Sequence, residues 1–145
     1  MSTNLELAKE LLEVLPPSMR RIREELRAGA HEKVTVPQWR ILGAIYRGRN
    51  ETSELAKHHG VSQPAISRMV DGLVDRGLVK RVPHQDDRRH IILSLSRAGE
   101  SLYKKARKST QKKIGAKIAR LSFAQKSQMR QGLKILRALL LEPET

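Results

Sequence analysis

Residues 52–82 constrain the fold of this chain more than any other part of the sequence. They read TSELAKHHGVSQPAISRMVDGLVDRGLVKRV, which predicts a short helix, a tight turn, a longer helix and the start of a strand. Gly60 marks the turn, because glycine adopts the positive φ that ends one helix and redirects the chain. Ser62 then stands at an N-cap position, and Pro64 lies in the first turn, where its missing N–H costs nothing. The stretch therefore predicts a helix-turn-helix.

The second helix of this stretch has two chemically different faces. Apolar residues recur at helical spacing on one of them, at Ile66, Val70, Leu73 and Val74. The opposite face carries small, polar and basic side chains, which are Gln63, Pro64, Ser67, Arg68 and Asp71. Side chains of this kind at the exposed start of a second helix are suited to reading base edges in the major groove of DNA. An ordinary pair of helices joined by a glycine turn is the alternative interpretation.

A polar loop between two short apolar runs follows the second helix. Residues 78–82 and 91–95 are β-branched or apolar with partial alternation, which predicts a β-hairpin. A hairpin directly after a recognition helix is a wing, and arginine at its tip, here Arg88 and Arg89, is favoured in the narrow minor groove. Asp87 is expected to pair with Arg89 or to bond the loop backbone. A solvated, self-neutralising turn is the alternative, and the preceding helices favour the wing.

Four motifs in one order and spacing carry a resemblance to a known family. They are TVPQWRIL at residues 35–42, ELA at 54–56 with its following turn, GLVKR at 77–81, and DRR at 87–89 with LSLSRAG at 93–99. The chain resembles the MarR family of winged-helix transcriptional regulators from about residue 34 to beyond residue 136. It departs from the family at His84-Gln85-Asp86, where an Asp-Pro pair is common.

Length and composition limit the classes to which the chain can belong. A chain of 145 residues has room for one core. It contains no cysteine, which excludes disulfides and thiol redox sensing. No apolar run approaches the length of a membrane span, and the first residues lack the pattern of a signal peptide. We therefore expect a cytoplasmic protein that does not contact a membrane.

The net charge of +14 suggests a polyanionic partner, but the charge is unevenly distributed. Residues 1–50 carry 9 basic and 6 acidic side chains, residues 51–100 carry 8 and 7, and residues 101–145 carry 12 and 2. The excess therefore follows the expected DNA reader and does not locate the binding site. The basic run after Ser101 has two interpretations. It is either a solvated face or, in its first half, a source of phosphate contacts from Lys104, Lys105 and Lys108.

Both ends of the chain show the apolar spacing of amphipathic helices. Residues 4–15 and 18–28 predict two helical segments, with Pro16-Pro17 expected to kink or stop the first and Gly29 expected to end the second. Thr35 with Gln38 predicts a capping box for the next helix, in which Trp39 is expected to be core. Later, Ser96 is expected to cap a helix running to about residue 120, and Ser122 with Gln125 to open a final helix.

These patterns predict a mainly α fold with a small β-hairpin wing in a single domain, residues 1–145. A winged helix-turn-helix core at residues 34–98 would be flanked by dimerisation helices at 1–33 and 99–145. The apolar terminal helices need a partner surface, and together with the resemblance they predict an intertwined homodimer. A two-fold dimer predicts a near-palindromic DNA target with half-sites about one helical turn, roughly 34 Å, apart.

No catalytic constellation is present in the sequence. A P-loop, a GxGxxG after a strand, GxSxG and HExxH are all missing, so we expect neither an enzyme nor a bound cofactor. His84 and His90, with Asp86 and Asp87 between them, are the candidates for a metal site. Exposed wing residues are the favoured interpretation, because a metal site needs convergent ligands.

The expected function is that of a sequence-specific transcriptional regulator of double-stranded DNA, acting as a dimeric repressor. The expected major-groove contacts are Ser62, Gln63, Pro64, Ser67 and Arg68. The expected wing contacts are Asp87, Arg88 and Arg89, and the expected phosphate contacts are Thr52, Ser53 and Arg81. Gln prefers adenine and Arg prefers guanine, which favours this function over a sequence-indifferent architectural DNA-binding protein, the alternative.

The resemblance also implies a small aromatic or anionic effector. It would bind between the dimerisation helices and the reading head, by which we mean the helix-turn-helix and the wing. Binding there would bias the distance between the two recognition helices of the dimer. Arg21, Trp39 and Arg40 lie on the helices expected to form that pocket.

Overall fold

The computed structural model describes residues 3–30 and 34–141. Within these ranges the chain forms six α-helices and two β-strands, in the order α1 (Asn4–Gly29), α2 (Val36–Tyr46), α3 (Thr52–His59), α4 (Gln63–Asp75), β1 (Val79–Pro83), β2 (Ile91–Leu95), α5 (Arg97–Ile118) and α6 (Phe123–Leu141). The mainly α fold with one small hairpin is confirmed. The described residues divide into two compact units, one up to Thr110 and one from Gln111 onward, so that the division falls within α5.

The core lies in the first unit and is centred on α2. Residues 41–45 of this helix are all buried, and Leu55, Ile66 and Leu73 of the next two helices are fully inaccessible to solvent. The capping box predicted for α2 is present. The Gln38 N–H donates to Thr35 Oγ1 over 3.3 Å, and the Thr35 N–H donates to Gln38 Oε1 over 3.1 Å.

The helix-turn-helix forms where the sequence predicts it. Gly60 ends α3 with a φ of 66°, in the left-handed region that glycine adopts without strain. Ser62 caps α4, because its Oγ accepts the Ala65 N–H over 3.3 Å. Ile66, Val70 and Leu73 form the buried face of α4. The opposite face of α4 is thereby turned outward.

The hairpin is antiparallel, with Val79 opposite Leu95 and Pro83 opposite Ile91. Its first strand begins at Val79, one residue later than predicted, because Leu78 still belongs to the turn that leaves α4. The hairpin joins α5 tightly, since a Cβ at Gly99 would lie 2.0 Å from the Leu78 carbonyl oxygen. Ser96 Oγ accepts the Gly99 N–H over 3.0 Å, which confirms Ser96 as the cap of α5.

The prolines of the N-terminal region do not stop the helix, which was one of the two outcomes expected for them. The two segments expected on either side of the prolines form a single helix, α1, with Pro16 and Pro17 inside it. Each proline leaves one carbonyl without an intrahelical donor, those of Leu12 and Glu13. Both residues are exposed, so water can bond these carbonyls and the loss does not end the helix. The helix ends at Gly29, as expected, where a Cβ would lie 3.1 Å from the Ala106 carbonyl oxygen.

Two helices leave much of their apolar surface in solvent. Neither α1 nor α6 contains a buried residue, and each has leucines in solvent: Leu12 is 75% exposed and Leu133 is 58% exposed. The capping box expected for α6 is present, with the Gln125 N–H donating to Ser122 Oγ over 3.2 Å. Across the described ranges, none of the helices combines the length and the hydropathy that a membrane span requires.

Candidate nucleic-acid interface

The exposed start of α4 is the first part of the candidate interface. Gln63, Pro64 and Arg68 are exposed, Ser67 is half-buried, and Ser62 uses its hydroxyl oxygen as the helix cap. Within residues 3–30 and 34–141, no hydrogen bond or ion pair engages the side chains of Gln63 and Arg68. Because a bidentate amide and a guanidinium stand free on one helix end, this face can pair with base edges.

Arg81 lies beside this face and is tied to it. Its guanidinium forms an ion pair with Asp71, on the outer side of α4. Both side chains are about half exposed, so the pair adds little stability, but it holds Arg81 next to the recognition helix. A guanidinium has five N–H donors, and the carboxylate occupies only part of them. Arg81 therefore keeps the capacity to bind a phosphate.

The wing tip is organised by Asp87. Its Oδ1 accepts the Arg89 N–H over 3.0 Å, and its backbone oxygen accepts the His90 N–H over 2.9 Å. Of the two roles predicted for this carboxylate, the structure shows the bond to the loop backbone. Arg88 and Arg89 are exposed, and neither side chain has a partner in the part of the chain that the structure describes. Both guanidinium groups are free to enter a groove.

The departure at His84-Gln85-Asp86 closes the base of the loop. The Asp86 N–H donates to His84 Nδ1 over 3.2 Å, and the His84 N–H donates to the His90 carbonyl over 2.8 Å. The two imidazole rings lie 6.1 Å apart. Across the described ranges there is no group of three or more His, Cys, Asp or Glu side chains suited to a metal ion.

The start of α3 and the wing are held together. Leu93 donates its N–H to the Asn50 carbonyl over 2.7 Å, and His90 Nε2 lies 3.3 Å from Glu51 Oε1. Glu51 is the N-cap residue of α3, but its side chain does not bond the first turn. The N–H groups of Thr52 and Ser53 therefore remain available to an anion, beside their own hydroxyl groups. The sequence alone did not indicate that Glu51 and His90 join these elements.

A cavity of about 230 Å³ lies in the same unit, bordered by α1, α2, α3 and α5. Leu26, Trp39 and Tyr103 supply apolar wall, and the rings of Trp39 and Tyr103 stack with centroids 4.8 Å apart. The polar wall is formed by arginine and histidine side chains, those of Arg23, Arg40, Arg47, His58 and His59. We call this space the arginine–histidine cavity.

Of the three residues predicted for an effector pocket, two line this cavity. Trp39 and Arg40 do so, although Trp39 is only 4% exposed and is mainly a core residue, as expected. Arg21 does not line this cavity. Its guanidinium pairs with Glu24 and Glu25 at 3.4 and 3.3 Å on another side of α1.

Helical geometry explains why Arg21 does not line the cavity. Two residues correspond to about 200° of rotation, so Arg23 and not Arg21 points towards the cavity. Sequence reasoning also missed Arg47, His58 and Tyr103. Their convergence depends on how three helices pack, and no spacing along the chain reveals it.

The surroundings of the two cavity histidines disfavour the charged form of each imidazole. Burial is the main cause that lowers the pKa of His58, and the nearby Arg49 and Arg47 lower it further. Burial also lowers the pKa of His59, followed by the positive charge of Arg40. At neutral pH the arginines therefore give the cavity its positive charge, while the imidazoles remain uncharged. Such a cavity is suited to a small anion.

Comparison with known proteins supports the structural assignment. A model of the MarR family matches residues 33–90. A regulator of the helix-turn-helix type from Mycobacterium tuberculosis is 32% identical over 86 residues, covering 59% of this chain and 60% of the relative. The multiple antibiotic resistance protein MarR of Escherichia coli is 33% identical over 70 residues, covering 48% and 49%. The matched segment thus spans about three fifths or less of these relatives.

Solved structures show the same fold over most of the chain. The crystal structure of RV1404 from Mycobacterium tuberculosis has a TM-score of 0.79 at 22% identity, covering 100% of this chain and 99% of that one. Apo MarR from Escherichia coli has a TM-score of 0.68, also at 22% identity, covering 88% and 95%. At these identities the likeness establishes the fold.

Proposed function

We propose that the chain, whose residues 33–90 match a model of the MarR family, is a sequence-specific transcriptional regulator of double-stranded DNA. The observation that carries this proposal is the free outer face of α4. Gln63 and Arg68 stand there without a protein partner in the described residues, beside a wing that presents Arg88 and Arg89. Ser62, Pro64 and Ser67 complete the contact with the major groove, and the wing arginines enter the adjacent minor groove.

Phosphate contacts position this reading head on the duplex. The first turn of α3, with Thr52 and Ser53, offers free backbone N–H groups at the positive end of a helix dipole. Arg81, held by Asp71, contacts the backbone between the helix and the wing. These contacts carry no sequence information, but they fix the register in which Gln63 and Arg68 meet the bases.

The regulator acts as a homodimer in this proposal. The apolar faces of α1 and α6, which have no buried residue in one chain, are the surfaces that a second copy would cover. Two-fold symmetry then gives a near-palindromic operator with half-sites about ten base pairs apart. Binding such an operator in the cytoplasm represses transcription, and the protein has no enzymatic role in the proposal.

A small aromatic carboxylate is the effector that the arginine–histidine cavity suits. Leu26, Trp39 and Tyr103 offer an apolar slot for a ring, and Arg40 and Arg47 offer charge for its carboxylate. The cavity lies at the end of α3, which continues through Gly60 into the recognition helix α4. A ligand that binds α3 differently in two positions of the reading head would shift the protein away from the DNA-bound form.

The alternative function is that of a sequence-indifferent architectural protein. The charge distribution favours it, because 12 of the 29 basic residues follow position 100 and the net charge is +14. A protein of this kind would bind any duplex through its phosphates, with steep salt dependence and without base preference.

Selection from a randomised duplex pool, followed by sequencing, separates the two functions. Near physiological salt we expect a palindromic consensus and binding at least about 10³-fold tighter than to random DNA. The matched control is Gln63→Ala with Arg68→Ala, which should remove the consensus while leaving binding to random duplex. Tight binding without enrichment would reject the specific regulator in favour of the architectural protein.

A further inference from the structure

His58 and His59 form the last turn of α3 and border the arginine–histidine cavity. Their rings lie 5.1 Å apart, edge to face. The Nε2 atom of His59 is buried and has no hydrogen-bond partner in the described residues. A buried ring nitrogen without a partner costs free energy, which a ligand in the cavity can recover by bonding to it.

Cations surround this pair from several elements. Arg40 and Arg47 face it from α2, Arg23 borders the cavity from α1, and the Arg49 Nη1 atom lies 2.9 Å from both ring nitrogens of His58. The Glu54 carboxylate on α3 opposes these cations at His58, and it lies 3.7 Å from Arg49. From α5, Tyr103 presents its hydroxyl, which accepts a hydrogen bond from Arg47 over 3.3 Å. The surroundings are thus strongly cationic and disfavour a further positive charge.

We propose that the cavity binds a small aromatic carboxylate together with a proton, which His58 or His59 takes up from solvent, so that ligand affinity rises as the pH falls. This inference rests on the effector cavity of the proposed function and adds its regulation. The carboxylate cancels part of the positive charge that keeps the imidazoles neutral. A protonated ring then donates from its second nitrogen, which gives His59 Nε2 the partner that it lacks.

The sign of the pH dependence follows from linkage. The free protein holds both imidazole pKa values below the ordinary value, because of burial and the neighbouring arginines. An anion in contact raises the pKa of the imidazole that it touches. Between the free and the bound pKa the complex carries more protons than the free protein, so affinity rises as the pH falls. For each unit by which the pKa rises, the binding constant gains about tenfold.

The two histidines lie where their protonation can affect the DNA-reading helix. Both histidines lie at the carboxyl end of the helix, where the dipole favours a cation. The chain turns at Gly60 directly after them and enters α4. A bound ion pair at this turn holds the end of α3 against α2. We therefore expect the effector to release operator DNA more completely at low pH, and operator DNA to weaken effector binding by the same factor by which the effector weakens operator binding.

Isothermal titration with benzoate, an aromatic carboxylate that stays ionised in this range, tests the proposal between about pH 5.5 and 8. Titrations in two buffers of different ionisation enthalpy report the protons taken up on binding. Wild type should take up between zero and one proton and gain about tenfold in affinity towards acid pH. The His58→Asn/His59→Asn variant should lose both effects. His84→Asn, which removes a wing imidazole outside the cavity, should keep them.

The outcomes separate this inference from the proposed function. Benzoate binding with constant affinity and no proton uptake would overturn the inference and leave the effector site standing. Proton uptake that persists in the double variant would overturn the assignment to His58 and His59. Absence of benzoate binding at every pH would overturn the effector site and the inference together, while the DNA selection still tests the reader. A thermal melt of each variant shows whether it is folded at the pH used.

Discussion

α4 and α6 are both amphipathic helices, but they complete their packing differently. α4 has 13 residues and buries Ile66, Val70 and Leu73 in the core of its own chain. α6 has 19 residues and buries none of them, so that Leu133 and Leu140 are each 58% exposed. A helix with a solvated apolar face gains its stabilisation only from another surface. The reading head is therefore packed within one chain, whereas the apolar face of α6 has no packing surface among the described residues.

The sequence around α4 and the sequence around α6 also differ in their content of charged residues. Residues 51–100 have nearly balanced charge, and their arginines occupy defined positions: Arg81 pairs with Asp71, and Asp87 orders the loop that carries Arg89. Between Ser101 and Leu141 the sequence has 12 basic residues and no acidic one. Sequence recognition needs a few placed groups, while non-specific attraction needs only their number. The two regions are thus suited to different contributions to DNA binding.

The largest expected effect comes from placing charge on the apolar face of α6. Leu133→Glu with Leu140→Glu should convert a dimer into monomers, because buried unpaired carboxylates oppose association. A monomer reads one half-site, so operator affinity should fall by about 10²- to 10⁴-fold. Sedimentation analysis measures the association, and fluorescence anisotropy with the selected operator measures the affinity.

The matched control adds the same two charges to the polar face of α6. Ser127 and Gln131 lie one turn apart and are exposed, so Ser127→Glu with Gln131→Glu should leave the dimer intact. Equal dissociation by both pairs would mean that the charge itself, and not the apolar face, decides association. A wild-type protein that sediments as a monomer would reject the dimer and the contrast built on it.

The next largest effect concerns the free energy of unfolding. Leu73 is 0% exposed, so Leu73→Ala should destabilise the first unit by about 2–5 kcal/mol. Leu139 on α6 is 64% exposed, and Leu139→Ala should change the stability by no more than about 0.5 kcal/mol. Urea unfolding measures the free energy of unfolding of both variants. Both are made in the monomeric Leu133→Glu/Leu140→Glu background, so that dimer dissociation does not enter the comparison. Similar losses at both positions would show that α6 is packed within its own chain after all.

The third effect in size concerns the affinity for the operator and the preference for individual bases. Arg68→Gln should cost about 1–3 kcal/mol of operator binding and should relax preference at one base pair of each half-site. Arg27→Gln removes a cation from the last turn of α1, outside the interface, and should change neither quantity. Binding to an operator library mutated at each position measures both. A uniform weakening over all sequences would make Arg68 a phosphate contact rather than a base contact.

The local parts of this fold could be predicted because each depends on neighbours in the sequence. Caps at Thr35, Ser62 and Ser122 join residues three positions apart, and the turn at Gly60 joins residues at most five positions apart. Their physical causes are visible in the sequence itself. The effect of the prolines of α1 could not be predicted, for the opposite reason. Whether Pro16 and Pro17 end a helix depends on whether water reaches the freed carbonyls, and exposure is not readable from spacing.

Of the candidate functional residues, likewise, some could be found from the sequence and others could not. The outer face of α4 follows from helical periodicity, so Gln63 and Arg68 could be found from the sequence. The arginine–histidine cavity could not, because Arg23 lies on α1, Arg47 caps the end of α2 and His58 lies on α3, and 35 positions separate the first of these residues from the last. Arg21 lies on α1, as Arg23 does, but on a side of that helix that does not border the cavity. A prediction of rotation needs the packing partner of α1, which the sequence does not name.

The smallest expected effect tests whether the first half of α5 touches DNA. Lys105 and Lys108 are exposed, whereas Lys104 bonds the Glu100 carboxylate, which raises the pKa of the lysine. Each phosphate contact contributes about 0.9 to the log–log slope of affinity against salt. Because Glu100 already neutralises Lys104, replacing all three lysines by Gln should lower the slope by the share of two contacts, about 1.8, without changing the consensus.

A charge-matched control decides between contact and general attraction. Lys126→Gln/Arg130→Gln/Lys134→Gln removes three cations from α6, which we expect to contribute only to the overall field. If the α5 lysines contact phosphates, their removal lowers the slope more than the removal of the α6 cations does. Equal changes would assign the basic stretch to long-range attraction, and an unchanged slope would make it a solvated surface. In either case the sequence preference would still come from the few placed residues of α4 and the wing.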